Sequence, residues 1–281
     1  MSDDPPGPRF SVIIAVRNGA ATMQCALDSV FEQTYPEVEL IVMDGASTDG
    51  TTAIIAANAS RIAYWESAAD GGVYPAWNKA LDHATGDWIS FLGSDDRLCD
   101  PDVLGRVAAH LVADGGEHLV AYGYIDKIRT DGRVVRSKIG PWDDQRRKWF
   151  RRGVMIPHPA TFHHRALFER HGRFDESFRI AGDYEFLLRE MLEHDPLFVD
   201  EVVVEMAGGG ISDRPENVYV IEREVYRARY LHGLVKAPPW RSGPLYRRLG
   251  RIWISRHLGQ GVARAARDGY KSLTRRSKRP T

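Results

Sequence analysis

Cysteine is nearly absent. Two occur in 281 residues, Cys25 and Cys99, and neither stands in a C-x-x-C pair or any other metal-ligand spacing. That excludes a disulfide scaffold and a thiolate metal centre. A reducing cytoplasm is expected, with both thiols serving as small buried apolar residues. Long apolar runs are also missing: none approaches the ~18 residues that a membrane-spanning helix needs. The opening MSDDPPGPRF is acidic and proline-rich with no apolar segment, so it does not read as a signal peptide, and residues 1–8 read as a flexible leader. There is no GxxxxGK[ST] phosphate loop and no GxGxxG dinucleotide fingerprint. The glycine-rich DGASTDGT at 44–51 fits neither spacing. A nucleotide, if bound, has to be held by something other than a glycine loop. No internal repeat or low-complexity tract occurs.

The formal net charge is zero, which hides an asymmetry. From Tyr226 onward there are 15 Lys or Arg and one acid, Asp268, so the rest of the chain carries −14. An acidic body with a basic tail suggests a polyanionic partner for the tail. The acidic body argues against nucleic acid as that partner.

The length suits one large or two small domains. From residue 9 to about 115, strand patterns alternate with helix patterns. RFSVIIAVRN (9–18), VELIVMDGAS (38–47), RIAYWES (61–67) and DWISFLGSDD (87–96) read as strands. GAATMQCALDSVFEQ, STDGTTAIIAANAS, YPAWNKALDHA and DPDVLGRVAAHLVAD read as the helices between and after them, the second with a Ser/Thr cap. Such alternation predicts βαβ units and a mainly parallel sheet with helices on both faces. From 116 to 213 the pattern loosens into a hairpin turning at Asp131-Gly132, a basic-aromatic loop RRKWFRR (146–152), a helix opening near Asp183 and a strand with a glycine-rich end. Residues 214–281 read as a helical, basic extension.

Ligands on sheets of this kind gather beyond the carboxyl ends of the strands. The unusual residues fall there: Arg17 and Asn18, Asp44, Glu66 and Asp70, then Asp95 and Asp96 in FLGSDD. Two adjacent carboxylates repel each other unless a cation joins them. A helix cap needs only one carboxylate, and an acid–base pair is a second reading. A third is a hard divalent cation, Mg²⁺ or Mn²⁺, held by the acids and by the oxygens of a diphosphate.

FSVIIAVRN, VELIVMDGASTDGT, ESAADGGVYPAWNKAL, GDWISFLGSDD and IAGDYEFLLR, in this order and spacing over roughly residues 9–210, resemble the family 2 glycosyltransferases of the GT-A fold. The nearest subset comprises bacterial enzymes of polysaccharide and glycolipid biosynthesis. The resemblance implies an inverting, metal-dependent hexosyl transfer from a UDP-, GDP- or dTDP-sugar to a hydroxyl of a saccharide or polyprenyl-diphosphate-linked acceptor. By the same resemblance Ala15, Val16 and Arg17 would line the base pocket and Asp44 would bind base or ribose. Asp70 would contact the base, with Asn78 and Lys79 near the nucleotide. In GSDD the first acid of the usual metal motif is Gly93, which leaves Asp95 to face the ribose or donor sugar and Asp96 the metal. Asp183 would be the catalytic base, with Gly182 where relatives carry Glu. His158, in IPHPATF, and Trp77 would stand near the acceptor or the diphosphate. Pro75 departs from the Asp of many relatives.

Two further readings differ in class. A nucleotidyltransferase would need a Gly/Arg/Lys-rich loop after the first strand, and AVRNGAATM has one Arg and no Lys. A nucleotide-sugar sensor or scaffold with lost catalysis is the other, and intact Asp95, Asp96 and Asp183 argue against it. In the tail, Leu245, Leu249, Ile252, Trp253 and Leu258 fall near one helical face, which predicts an interfacial helix at anionic lipid, on the inner face of the cytoplasmic membrane.

Overall fold

The computed structural model describes residues 7–128, 132–137, 139–208, 210 and 214–257. Four strands open the chain: β1 (Phe10–Val16), β2 (Val38–Asp44), β3 (Tyr64–Ser67) and β4 (Trp88–Gly93). The helices between them are α1 (Met23–Phe31), α2 (Thr51–Ala57) and α3 (Val73–Ala80). β1 pairs in parallel with β2 and β4, and β2 with β3. The expected cap on α2 is replaced: Gly50 holds the N-cap position without a side-chain bond, and Asp49 one step earlier accepts from the Thr51 N–H (3.1 Å).

The second half extends the same sheet. β4 is followed directly by β5 (Asp96–Leu98), then α4 (Val103–Asp114), β6 (Val120–Ile128), β7 (Val134–Arg136) and α5 (Asp144–Phe150). β8 (Thr161–His164), α6 (Arg165–His171), α7 (Gly182–Met191) and β9 (Leu197–Ala207) follow. The strand order is β3-β2-β1-β4-β8-β6-β9-β5, with β7 on β6. β8 runs antiparallel to both β4 and β6, and β9 joins β6 in parallel and β5 antiparallel. The expected hairpin forms between β6 and β7; Asp131 at its predicted turn lies outside the described residues. The expected basic loop RRKWFRR is corrected to α5, capped by Asp143, with Phe150 buried beneath it.

Successive residues of a strand point to opposite faces, and both faces are covered. Val12, Ile14, Leu40, Val42 and Leu92 pack with α1, α2 and α4. Ile13, Ile41, Met43, Ile89 and Phe91 pack with α3 and with the helices of the second half. This is why the central strands read as continuous apolar runs. α1 buries Met23, Ala26, Leu27 and Val30. Cys25 lies off that stripe and is exposed, and Cys99 is half-buried, which corrects the expectation of two buried thiols. The extension holds α8 (Val218–Leu231) and α9 (Gly243–His257). α9 packs on α8, with Leu245 buried.

Candidate active site

The loops beyond β1 and β2 are laced to each other. The Asn18 N–H donates to Ser47 Oγ (2.7 Å), the Gly19 N–H to Thr51 Oγ1 (2.9 Å) and the Ala20 N–H to Asp49 Oδ2 (3.0 Å). Asn18 Oδ1 accepts from the Thr48 N–H (2.9 Å). Asn18 and Ala46 both hold positive φ, 55° and 54°, a conformation these bonds help to offset. Arg17 is exposed at the strand end, and no described residue bonds to it.

Asp44 closes β2 and is buried. Its Oδ2 accepts from the Ser47 N–H (3.1 Å), Thr52 Oγ1 (3.0 Å) and Ser67 Oγ (2.6 Å), and its Oδ1 from Ser47 Oγ. Burial pushes this carboxyl up, but the hydrogen bonds outweigh it and hold it below the ordinary range. Asp44 thus ties β2 to β3 and α2, and Oδ1, with one donor, keeps a lone pair for a ligand. Asp70 lies against the next residue: a Cβ on Gly45 would fall 2.9 Å from its Oδ2. Its Oδ1 accepts from the Gly72 N–H (3.1 Å) at the start of α3.

Asp95 and Asp96 do not both end the fourth strand, as the sequence pattern suggests. β4 stops at Gly93, Asp95 sits in the turn, and Asp96 opens β5 opposite Met206. The turn folds both carboxylates over Gly93. A Cβ there would lie 2.5 Å from Asp96 Oδ2 and 3.0 Å from Asp95 Oδ1, so two acidic oxygens converge on one point and a methyl beneath them would push them apart. Asp96 is buried, and its Oδ1 accepts from the Ala207 N–H (3.2 Å). Burial, and then the neighbouring Asp95 charge, push its carboxyl up to about 7. A converging pair of carboxylates, one of them discouraged from ionising by the other, is a donor set that fits a hard divalent cation.

Asp183 sits in the first turn of α7. Its Oδ1 accepts from the Tyr184 N–H (2.8 Å) and lies 3.3 Å from the Tyr74 hydroxyl. No described residue donates to Oδ2. Burial pushes this carboxyl up to about 6 against those bonds. Tyr74, on α3, also accepts from the Gly182 N–H (2.7 Å) and the Asp183 N–H (3.2 Å). A Cβ on Gly182 would fall 2.8 Å from the Tyr74 ring, so a side chain at 182 would crowd Tyr74.

The other expected site residues have the following surroundings. Val16 packs its side chain into the core, while Ala15 packs on the opposite face of the sheet and stays partly exposed. Asn78 is buried with both ends of its amide engaged: Nδ2 donates to Phe174 O (3.0 Å) and Glu176 Oε1 (2.9 Å), and Oδ1 accepts from the Phe174 N–H (3.0 Å). Lys79 makes a surface ion pair with Glu66 (3.4 Å). His158 stacks on Trp77 and Phe91 inside an aromatic cluster. Burial drives its ring down to about 3, so it is neutral and enclosed. Trp77 belongs to the same cluster.

Sequence reasoning missed Tyr74, Asp49 and Glu224. Tyr74 and Asp49 stood in motifs already singled out. Glu224 gave no local signal, because its partners lie more than 40 residues away.

The family model for glycosyl transferase family 2 matches residues 11–172. A PGL/p-HBAD biosynthesis glycosyltransferase of Mycobacterium bovis is 37% identical over 191 residues, 65% of this chain and 69% of that protein. An uncharacterized glycosyltransferase of Mycobacterium tuberculosis is 34% identical over 211 residues, 74% of this chain and 79% of its own length. Among solved structures, residues 1–349 of S. aureus TarS with UDP-GlcNAc superpose with a TM-score of 0.61 at 20% identity, covering 88% of this chain and 73% of that one. The mannosyltransferase PcManGT from Pyrobaculum calidifontis, in complex with GDP-Man and Mn²⁺, gives 0.62 at 20% identity, covering 96% and 78%.

Proposed function

This chain belongs to glycosyl transferase family 2 and has the GT-A fold, and from that premise we propose that it transfers a hexosyl group, with inversion, from a nucleotide-diphospho-sugar to an acceptor hydroxyl. The observation that carries the reading is the pairing of two features. Asp95 and Asp96 converge over Gly93, and a half-buried Asp183 leaves one oxygen without a donor. Asp96, with Asp95 beside it, would hold Mn²⁺ or Mg²⁺. When bound, that ion would neutralise charge on the departing diphosphate. Ala15, Arg17, Asp44 and Asp70 would flank the nucleotide through the laced loops beyond β1, β2 and β3.

Asp183 Oδ2 would take the acceptor hydroxyl proton as the oxygen–anomeric carbon bond forms and the carbon–diphosphate bond breaks. Such a base contributes about 10²–10⁴-fold. One base opposite the leaving group gives one displacement, hence inversion. The Tyr184 N–H holds Oδ1 (2.8 Å), and the Tyr74 hydroxyl, which donates to Ile180 O (2.6 Å), lies 3.3 Å from it, so Oδ2 is the oxygen left to face an acceptor.

The acceptor would be a saccharide or lipid-linked hydroxyl. The support is the relative named for PGL/p-HBAD biosynthesis and the character of the extension. Among the described residues no helix is long and apolar enough to cross a membrane. The predicted apolar stripe of α9 turns inward instead: Leu245 is buried, Leu249 and Ile252 are partly so, and Leu258 lies outside the described residues. Arg248 pairs with Glu222 of α8 (2.6 Å). The outward face of α9 carries Tyr246 and Trp253 beside Arg247, and Trp240 and Arg241 are exposed in the turn just before it. Exposed aromatics with arginines suit a peripheral seat on an anionic membrane surface.

The test is release of nucleoside diphosphate from a panel of UDP-glucose, UDP-GlcNAc, GDP-mannose and a dTDP-hexose, with Mn²⁺ or Mg²⁺. Turnover of one donor, lost with chelator and in Asp96→Ala, is expected. Donor binding with no turnover under any condition would leave a sensor, and unchanged turnover in Asp96→Ala would remove the metal assignment.

A further inference from the structure

α8 and α7 lie outside the residues that the family model matches, 11–172. Yet the start of α7 is built by a carboxylate from α8. Glu224 Oε1 accepts from the Arg179 N–H (2.8 Å), and its Oε2 accepts from the Ile180 N–H (2.8 Å) and the Ala181 N–H (2.9 Å). The next two N–H groups, of Gly182 and Asp183, go to the Tyr74 hydroxyl, and the Tyr184 N–H goes to Asp183 Oδ1. The first bond within the helix is Glu185 N–H to Ala181 O. Six successive N–H groups are therefore satisfied before the helix supports itself, three of them by one side chain. Helix starts have unsatisfied donors and a positive end. Here a carboxylate 43 residues along the chain from Ala181 fills that need.

We propose that Glu224 is a positioning residue for Asp183: by holding the 179–181 backbone it sets where α7 begins and hence where the Asp183 carboxylate is presented. This rests on the reading of Asp183 as the catalytic base. The groups facing Asp183 are few. Tyr74 approaches from α3 and Glu224 from α8. On its own helix Glu185 is turned to Arg189 and to His232. Glu224 thus acts on Asp183 in two ways. It fixes the backbone, and its negative charge both opposes ionisation of the neighbouring carboxyl and screens it from the positive helix end.

The experiment uses the full chain, with the donor of the panel above that the wild type hydrolyses fastest with Mn²⁺, and compares Glu224→Gln, Glu224→Ala, Asp183→Asn and Asp183→Asn with Glu224→Ala. Glu224→Ala is expected to lower kcat 10–100-fold with the donor KM within about twofold. Glu224→Gln should keep most of the fold, lower kcat several-fold and move the acid limb of kcat to lower pH. Added to Asp183→Asn, Glu224→Ala should cost little more activity, because it acts through the missing group. Carboxyl ¹³C NMR of Asp183 in the substrate-free protein gives a reading that needs no turnover: its midpoint should fall in Glu224→Gln. The proposal is overturned if both Glu224 variants keep wild-type kcat, acid limb and Asp183 midpoint, or if the Glu224→Ala loss is undiminished on the Asp183→Asn background. Full activity in Asp183→Asn would instead refute the base assignment on which it stands.

Discussion

Glu39 and Asp96 are both buried carboxylates at strand ends, 7% and 6% exposed, but they stand at opposite ends of the sheet. At the amino end, Glu39 accepts from Ser11 Oγ (2.6 Å), Thr85 Oγ1 (2.9 Å) and the N–H groups of Thr85 (2.5 Å) and Gly86 (3.2 Å), and pairs with Arg9 (3.1 Å). Burial pushes its carboxyl up, and these partners outweigh that and hold it below the ordinary value. At the carboxyl end, Asp96 has the Ala207 and Gly93 N–H groups and Lys127 in its favour and the Asp95 charge against it, and its carboxyl rises. Asp183, at the start of α7, rises as well. The two kinds of site differ in who satisfies the charge. At the amino end the protein itself does so, and the group contributes stability. Asp96 and Asp183 are left wanting a cation or a proton, a cost in stability that fits the metal and base roles proposed for them.

The sharpest way to break this contrast is Asp183→Asn. Transfer should fall about 10²–10⁴-fold in steady-state assays. The same variant should melt higher above pH 6, by about 2 kcal/mol, since a neutral amide removes a buried charge. Glu39→Ala should do the reverse. Its loss strands buried donors and should cost about 3 kcal/mol, a fall in Tm of roughly 6–12 °C, with activity per folded molecule intact. If Glu39→Ala melts like the wild type, the amino end is not the structural one.

The pH dependence follows from the signs. A carboxyl raised on folding binds its proton more tightly in the folded state. Asp183 therefore lets the protein gain stability as the pH falls from about 6 toward 4, and withholds it above 6. Glu39, lowered on folding, contributes stability above its unfolded value and loses it as the pH falls through its lower folded value. Activity should drop about tenfold per pH unit below 6 as Asp183 protonates. A pH–rate profile flat from 7 to 5 would remove Asp183 as the base.

The smallest effect comes from two glycines. A Cβ on Gly86 would meet the Ser11 backbone nitrogen at 2.6 Å, whereas on Gly93 the nearest atoms are those of the Asp95 and Asp96 carboxyl groups. Gly86→Ala should cost about 1–3 kcal/mol of stability. Gly93→Ala should leave Tm nearly unchanged and raise the Mn²⁺ needed for half-activation about tenfold, because the two acids must move apart.

Much of this was legible locally. The apolar runs of β1, β2 and β4, the helical stripe of α1 and the acids at the strand ends follow from periodicity and from the rule that open α/β sheets bind ligands at their carboxyl ends. Less legible was which polar residues face a ligand. Asn78 and His158 stand in motifs of the right form, yet one braces 174–176 and the other lies among aromatic rings. Motif spacing records chain distance, while a side chain's role depends on which groups already satisfy it.

By itself the amino-acid sequence determined the βαβ framework, the family and the pair Asp95–Asp96, because those rest on short-range patterning of apolar and charged side chains. Only the tertiary structure decided how the site works. It brought Tyr74 to Asp183 across 109 residues and Glu224 to the same helix start. It also folded β5 back so that two adjacent acids share one point above Gly93. Those contacts depend on packing between elements far apart in the chain, and no local pattern of residues carries that distance.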